Sequence, residues 1–511
     1  MKKRVLSTIL AAVMSASMLA ACGSEAAQTG ESTKAPETKT EETKTETAKP
    51  EATETADATK SDEIVTLKWA AVGGGMPANY DAWKENINQY LGEKIGVNIE
   101  CEIVPWGDWD QRRSVIVNTS GDYDIIFTNM STFTSDVQMG AFLDLTDMLP
   151  TAAPELYSMI PEDYWKAASI DNKIYAVPTY KDSSLTNYMV WDEQLCKDNG
   201  IDPASIKATY SDLSPLNDAL TTIKDVTGTA SLQLDASSGA GFIYGEYDNL
   251  GAGLVPLGVK FDDKSGTVVN VFEQPEVKKN LELMHKWYTE GIINEDAATL
   301  DQTNAYRPFF IAQGWSAAAK TTWGPNMGVD AVAIQFGDTM LTNDTVRGSM
   351  NCITSNCKNP EKALAFLQLI NTDSKVRDAF YYGLEGDNFE YTADGRVHKN
   401  NSDWSMAGYT QATFFNVTIT DDTEVNQWDE VRALNESAKP SALLGFTFDT
   451  TNVADQVANC NEVWNRYKWE LCNGVAEPEA EIAAMNKELD AAGFQDVLAE
   501  AQAQVNAFLG K

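Results

Sequence analysis

The chain has 511 residues with 39 basic and 75 acidic side chains, and its formal net charge of −36 would repel nucleic acids and anionic lipid surfaces. The same charge disfavours a strongly anionic ligand unless local cations compensate for it. The hydrophobic fraction of 43% is ordinary for a globular protein, and beyond the first 22 residues no stretch is long and apolar enough to span a bilayer.

The N-terminus has the pattern of a bacterial lipoprotein signal. Lys2, Lys3 and Arg4 precede an uncharged stretch, 5–21, and the cleavage box Leu19-Ala20-Ala21 ends at Cys22. Residues 1–21 are therefore predicted to be a signal peptide, with Cys22 acylated (palmitate) as the new N-terminus. The alternative is an ordinary signal peptide with an incidental cysteine. Either interpretation places the rest of the chain outside the cytoplasm.

The segment that follows is predicted to be a disordered linker. Residues 23–63 are mostly Thr, Glu, Lys and Ala, with few large apolar side chains. Such a segment cannot bury enough apolar surface to offset its ordering entropy. We therefore assign 22–63 to a lipidated N-terminus and flexible linker, and expect the folded part to begin near Ile64.

Residues 64–128 alternate between strand and helix patterns. Strands are predicted at 64–72, 97–104 and 124–128, and helices at 79–95 and 108–120. This order predicts a parallel sheet that binds ligands beyond the carboxyl ends of its strands. The loop Gly73-Gly-Gly-Met-Pro77 is interpreted as a tight turn that lets the backbone approach another group, because no phosphate-binding lysine motif follows it.

A second α/β set follows, too large to share one core with the first. Strands are predicted at 173–178, 186–191, 313–322 and 329–336, and helices at 213–226, 274–290 and 360–370. The tail, 453–509, is predicted to be largely helical with an interruption at 474–478.

The cysteines and histidines indicate no cofactor. Six cysteines remain besides Cys22, which permits up to three disulfides; the closest in sequence are Cys352 with Cys357 and Cys460 with Cys472. Spacing alone does not establish a bridge. No zinc pattern is present, and the loop 262–267 lacks the alternating oxygen ligands of a calcium site. We predict no metal and no cofactor.

Several segments carry a recognisable family pattern. These are Gly121-Asp-Tyr-Asp-Ile-Ile-Phe127, Gly140-Ala-Phe-Leu-Asp-Leu-Thr146, Asp171-Asn-Lys-Ile-Tyr-Ala-Val-Pro178 and Asn359-Pro-Glu-Lys-Ala-Leu-Ala-Phe366. With them the chain resembles the extracellular solute-binding lipoproteins of bacterial ABC importers (family 1), in the group that includes the maltodextrin-binding proteins. Tyr382-Gly-Leu-Glu-Gly386, Phe389 and Tyr391 resemble the LplA/YtcQ-like oligosaccharide-binding branch.

The resemblance implies an α/β, periplasmic-binding-protein-like fold of type II topology, with two α/β lobes, a hinge and an interlobe cleft. It places the N-terminal lobe at 64–180 plus 302–345 and the C-terminal lobe at 181–301 plus 346–511.

A sugar site needs aromatic platforms for the flat C–H faces and polar groups for the hydroxyl edges. Loop aromatics such as Trp106, Trp109 and Trp404 are weaker candidates, whereas Trp69 and Trp191 are expected in the core. From loop position and the resemblance we predict the ligand-binding residues Trp323, Trp315, Asn129, Ser131, Met76, Tyr180, Lys181, Tyr244, Tyr382 and Phe446. Trp323 is the leading platform, and Lys181 could assist a uronate-containing sugar.

The resemblance predicts a substrate-binding lipoprotein of an ABC transporter. It would capture an oligosaccharide by cleft closure and deliver it to permease subunits in the membrane. Three alternatives remain open: a binding protein for a peptide or other small solute, a lipoprotein sensor or adhesin of the same fold, and an extracellular glycoside hydrolase, which needs two carboxylates at a defined spacing. We predict no enzymatic activity, no nucleic-acid partner and a monomer anchored through Cys22 to the extracytoplasmic face of the bacterial cell membrane.

Overall fold

The structure is a computed structural model that describes residues 64–119, 122–237 and 240–511. The predicted signal peptide, Cys22 and the linker lie outside the described residues. Across the described part of the chain, no helix is both long and apolar enough for a membrane span.

Sixteen strands occur in the described residues, several of them only two residues long. In chain order they are β1 (Val65–Gly73), β2 (Val97–Pro105), β3 (Ile125–Thr128), β4 (Ser169–Ile170), β5 (Lys173–Ile174), β6 (Val177–Pro178), β7 (Leu185–Asp192), β8 (Tyr247–Asp248), β9 (Leu257–Lys260), β10 (Val269–Asn270), β11 (Phe309–Gln313), β12 (Ala331–Leu341), β13 (Met350–Ile353), β14 (Phe389–Tyr391), β15 (Val397–Lys399) and β16 (Lys439–Pro440).

The α-helices are mostly short before residue 200 and longest at the C-terminus. They are α1 (Tyr80–Ile95), α2 (Trp109–Asn118), α3 (Phe133–Gln138), α4 (Leu149–Ala152), α5 (Pro154–Met159), α6 (Glu162–Ala167), α7 (Glu193–Asp198), α8 (Asn217–Thr227), α9 (Pro275–Thr289), α10 (Gly324–Met327), α11 (Asn343–Arg347), α12 (Pro360–Thr372), α13 (Ser374–Tyr382), α14 (Gln427–Ser437), α15 (Ala454–Cys472), α16 (Pro478–Ala491) and α17 (Phe494–Phe508).

The first lobe is built on a five-stranded sheet in the order β2-β1-β3-β13-β6. Strand β1 is parallel to β2 and β3, which confirms the prediction for 64–128, and β13 is antiparallel to β3. Helix α1 buries Trp83, Ile87 and Leu91, which are spaced four residues apart and so lie on one face. The carboxyl ends of β1, β2 and β3 therefore meet at one edge of the sheet.

The second lobe is built on a four-stranded sheet in the order β11-β7-β12-β16. Strand β7 is antiparallel to both β11 and β12. Trp191 and Phe309, whose ring centroids lie 4.3 Å apart, are fully buried in the core of this lobe. Helices α15, α16 and α17 complete the core with Trp464, Met485 and Val505.

The strand pairing differs from the lobe division expected from the sequence. We predict 302–345 in the first lobe and 346–511 in the second, but β11 and β12 pair with β7 in the second sheet. Strand β13 pairs with β3 in the first sheet. The difference arises because a short apolar strand carries no local signal for which distant strand it will pair with.

The strand predicted at 313–322 is wrong beyond its first residue. Strand β11 ends at Gln313, and the chain then turns into a π-helical segment, Ala319–Trp323, which leads into α10. The Glu430 carboxylate accepts hydrogen bonds from the backbone N–H groups of Ser316 (2.7 Å) and Ala317 (3.1 Å). This contact comes from α14, far along the chain, so the local pattern does not contain it.

All six described cysteines are free thiols, and all except Cys357 are buried. The two closest pairs in sequence are thus not bridged in the structure. Trp69 and Trp191 lie in the cores, as predicted. Among the described residues no group of three His, Cys, Asp or Glu side chains could hold a metal ion.

Candidate ligand-binding cleft

Three segments of the described chain connect the two lobes. They are 179–184, between β6 and β7; 342–349, which contains α11; and 427–440, which contains α14 and β16. Two of them are joined through Asn435: its Nδ2 donates to the Lys181 carbonyl oxygen, and its Oδ1 accepts from Ser184 Oγ at 2.8 Å. Side chains next to these segments can therefore belong to a site shared by both lobes.

The first-lobe side of this junction is the edge where β1, β2 and β3 end. Trp106 directly follows β2, and its ring is parallel to that of Tyr409, with the centroids 6.1 Å apart and an interplanar angle of 5°. Met76 follows β1 and is 49% exposed. Asn129 follows β3, where its Oδ1 accepts from the Ser131 N–H at 3.0 Å and closes the turn.

A loop from the distant C-terminal half, residues 405–415, carries Tyr409 to this edge. The Gly74 N–H donates to the Ser405 carbonyl oxygen (2.7 Å), and the Ala407 N–H donates to the Val72 carbonyl oxygen (3.1 Å). A Cβ on Gly73 would lie 2.2 Å from the Ser405 oxygen, so this close approach needs glycine. The interpretation of the Gly73–Pro77 loop as a point of close backbone approach is therefore confirmed.

Arg377 on α13 is hydrogen-bonded to the 405–415 loop. Its guanidinium is fully buried and donates to the carbonyl oxygens of Thr413 (2.7 Å) and Gly408 (2.9 Å) and to Gln411 Oε1 (2.6 Å). Burial lowers the pKa of the Arg377 guanidinium to about 10, so it remains charged at neutral pH. One buried cation thus fixes three points of the loop with charge-assisted hydrogen bonds.

An aromatic row continues from this loop into the second lobe. Phe414 packs on Trp428 of α14 with the ring centroids 4.3 Å apart, and Trp428 packs on Trp315 at 5.9 Å. Trp315 follows β11, in the second-lobe sheet. Tyr409 packs against the cluster that Phe414 and Trp428 form. The aromatic row is Trp106, Tyr409, Phe414, Trp428 and Trp315; it contains residues of both lobes, and its middle members Phe414 and Trp428 are buried.

Trp315 has an unmatched donor. Its indole Nε1 is buried and has no hydrogen-bond partner among the described residues. Most buried polar atoms in native proteins are paired, so an unpaired N–H beside a candidate site is a place where a ligand oxygen could bind.

Trp323, the leading sequence candidate, lies beside Trp315 and packs on the sheet. Its ring is 6.1 Å from that of Tyr188 and 6.3 Å from that of Phe310, between centroids. A Cβ on Gly314 would lie 2.8 Å from Trp323 Cζ2, so the indole covers the backbone just before Trp315. Trp323 is half-buried and next to the row.

Four predicted site residues pack into or against the cores and not in the row. Tyr244 packs against Phe272 and Trp464, and Phe446 is 5% exposed and packs on Phe508. Tyr382 donates its hydroxyl to the Thr418 carbonyl oxygen at 2.6 Å. Tyr180 is buried between Tyr164 and Phe415. Lys181, in contrast, reaches the row, with its Nζ 5.9 Å from the Tyr409 ring centroid.

A cavity of about 560 Å³ lies elsewhere, at the edge of the second-lobe sheet near β16. The Tyr210 ring lines this cavity and packs between Gly245 and Gly337. Two of its rim lysines already pair with acids, Lys260 with Glu276 at 2.8 Å and Lys439 with Asp338 at 2.5 Å. Because no first-lobe residue lines this cavity, the aromatic row is the better candidate for a shared site.

The sequence indicated Trp315, Lys181 and the loops after β1 and β3 as candidates, with Trp106 as a weaker one. It did not indicate Tyr409, Phe414 or Trp428. These residues lie between 400 and 430, where no clear period marks an element. The one available signal was the density of aromatic residues there.

Two α/β lobes, three connecting segments and an aromatic row between them define a two-lobed ligand-binding protein. The chain belongs to the bacterial extracellular solute-binding protein family, whose profile matches residues 85–384. Residues 442–510 match a domain of unknown function, DUF3502. This family membership confirms the predicted class and makes the chain a binding protein rather than an enzyme.

Two similar proteins of Streptococcus pneumoniae are named for carbohydrate transport. A carbohydrate ABC transporter substrate-binding protein of Streptococcus pneumoniae serotype 4 is 27% identical over 463 residues, covering 85% of this chain and 89% of its own. The crystal structure of the N-glycan transport solute-binding protein NgtS from Streptococcus pneumoniae matches with a TM-score of 0.77 and 24% identity, covering 88% of this chain and 99% of NgtS. NgtS in complex with Man5GlcNAc matches with a TM-score of 0.63 and 24% identity over 87% of this chain and 99% of that one.

Proposed function

We propose that this protein is the oligosaccharide-capturing component of a bacterial ABC importer, and that the sugar binds along the aromatic row between the lobes. The observation that carries the proposal is the row itself, which continues from Trp106 and Tyr409 in the first lobe to Trp315 in the second. Aromatic faces pack against the C–H faces of sugar rings, and the free Trp315 N–H suits a hydroxyl or ring oxygen.

The length of the row favours a chain of several sugar units. Its half-buried members, Trp106 and Tyr409 in the first lobe and Trp315 in the second, offer ring faces, whereas Phe414 and Trp428 are buried and support them. A glycan related to those carried by the pneumococcal relatives, for which Man5GlcNAc is the first probe, is the substrate we favour. The lower TM-score against glycan-bound NgtS, 0.63 compared with 0.77, is in the direction expected if binding moves the lobes.

Binding would proceed by closure. A glycan that touches both lobes makes its full set of contacts only when they approach, so binding shifts the population toward the closed form. The segments 179–184, 342–349 and 427–440 would absorb the movement. The closed form would then present the sugar to membrane permease subunits.

We further propose the anchoring predicted from the N-terminus. Cys22 would be diacylated and would hold a monomer at the extracytoplasmic face of the bacterial membrane, with residues 23–63 between the anchor and the folded part. Mass spectrometry of the N-terminal peptide would test the acylation.

The binding proposal is tested by thermal unfolding with Man5GlcNAc, maltopentaose and kestose. A bound sugar at a hundred times its Kd should stabilise the protein by about 2.7 kcal/mol. Trp315→Ala should weaken that sugar at least tenfold, because it removes both a ring face and the indole N–H. The matched control is Trp469→Ala, a half-buried tryptophan on α15 outside the row. Unchanged affinity in Trp315→Ala would contradict the proposed site.

A further inference from the structure

An ion pair lies beside the aromatic row. Lys181 Nζ lies 2.7 Å from Asp182 Oδ1, and the two side chains are 14% and 32% exposed. The Lys181 ammonium is 5.9 Å from the Tyr409 ring centroid. Burial and the nearby Asp182 carboxylate raise the pKa of the Tyr409 hydroxyl. The pair therefore lies against the same ring that stacks on Trp106.

The backbone around the pair is fixed by the junction between the lobes. The Lys181 carbonyl oxygen accepts from Asn435 Nδ2, and Ser183 Oγ donates to the Thr179 carbonyl oxygen at 3.1 Å. These bonds hold the chain on both sides of Asp182.

The other charged groups along the row are already engaged. The Arg377 guanidinium is bonded to the 405–415 loop, and the Glu430 carboxylate is bonded to the Ser316 and Ala317 N–H groups. The Arg432 guanidinium lies over the Phe415 ring, 4.4 Å from its centroid, with an exposed side chain. Along the described row, each buried cation therefore already has a partner, and none is left for a ligand carboxylate.

We propose that Asp182, by neutralising Lys181, makes this site selective for uncharged oligosaccharides over uronate-containing ones. The inference rests on the proposed function. A sugar carboxylate would have to take Lys181 from Asp182 and leave the Asp182 carboxylate unpaired beside it, which adds a desolvation cost and a like-charge repulsion. A hydroxyl group meets neither cost. The sequence-based suggestion that Lys181 assists a uronate is therefore replaced by the opposite preference.

The experiment compares two forms of one glycan. Man5GlcNAc and Man5GlcNAc whose primary hydroxyl groups have been oxidised to carboxylates are titrated calorimetrically into the wild-type protein and two variants. Wild type should bind the oxidised form at least tenfold more weakly. Asp182→Asn frees the Lys181 ammonium and should shift the ratio of the two Kd values about tenfold toward the oxidised form. Lys181→Gln should shift the ratio in the opposite direction.

Opposite shifts separate a charge effect from a folding defect, which would weaken both glycan forms together. Asp225→Asn is the matched control, since Lys224 and Asp225 form an adjacent pair at 3.2 Å on the exposed face of α8. An unchanged ratio in Asp182→Asn, with neutral Man5GlcNAc still bound, overturns the role of Asp182 and leaves the proposed function standing. No binding of any neutral sugar by wild type overturns the proposed function and this inference with it.

Discussion

The Trp315 indole nitrogen is a buried donor that no described group accepts. Leaving such a donor unpaired costs about 1–3 kcal/mol in the unliganded protein. A ligand oxygen that accepts this hydrogen would recover part of that cost on binding. Removing this donor should therefore leave the stability of the unliganded protein unchanged or raise it, and should weaken ligand binding.

Trp315→Phe tests this because it keeps an aromatic face and removes the donor. We expect unchanged or slightly higher stability without ligand and about fivefold to tenfold weaker glycan binding. Urea unfolding and calorimetric titration measure the two effects. In the control Trp165→Phe, the lost donor is bonded to the Tyr157 carbonyl oxygen (3.1 Å), so stability should fall and affinity should hold. Equal affinity in Trp315→Phe would show that the indole N–H does not contact the sugar.

At the scale of elements, the 405–415 loop depends on α13. Arg377→Lys keeps the charge but cannot reach Gly408, Gln411 and Thr413 at once, because only the guanidinium has the forked geometry. We expect a loss of about 2–4 kcal/mol in unfolding free energy and at least tenfold weaker sugar binding. A double-mutant cycle with Tyr409→Ala distinguishes positioning from general damage. If Arg377 acts by placing Tyr409, its effect on affinity should largely vanish in the Tyr409→Ala background, and fully additive effects would exclude that role.

The sequence predicted the elements that have strong local periods. The strands predicted at 64–72 and 97–104 and the helix at 79–95 correspond to β1, β2 and α1 within one residue at each end. The failures share one cause. The end of β11, the partners of β12 and β13, and the path of the 405–415 loop are fixed by contacts with distant groups such as Glu430 and Arg377. Of the row, local reasoning could find only the part that follows a strand, Trp106 and Trp315.

At the scale of the whole molecule, a buried charge cluster lies at the junction of the lobes. Arg347 on α11 donates to the Ala167 (2.7 Å) and Ser169 (3.0 Å) carbonyl oxygens of the first lobe and to Thr447 Oγ1 (3.0 Å) of the second. Two carboxylates accompany it. Burial and the nearby Asp248 carboxylate raise the pKa of Asp344 to about 6, although Arg347 acts in the opposite direction. The second carboxylate, Asp248, accepts from Ser441 Oγ at 2.7 Å, and burial raises its pKa as well.

This cluster should make stability depend on pH in a predictable direction. A carboxyl whose pKa is higher in the folded state than in the unfolded state is easier to protonate when folded, so its ionisation costs stability as pH rises from about 4 to about 6. Asp344→Asn removes that cost and should stabilise the protein by about 1–3 kcal/mol above pH 6, with little effect near pH 4. Urea unfolding of wild type and variant at several pH values between 4 and 7.5 measures the difference. Asp225→Asn, on the exposed surface of α8, should show no such pH-dependent difference. If the Asp344→Asn difference were constant across this range, ionisation of Asp344 would not be the source of the stabilisation.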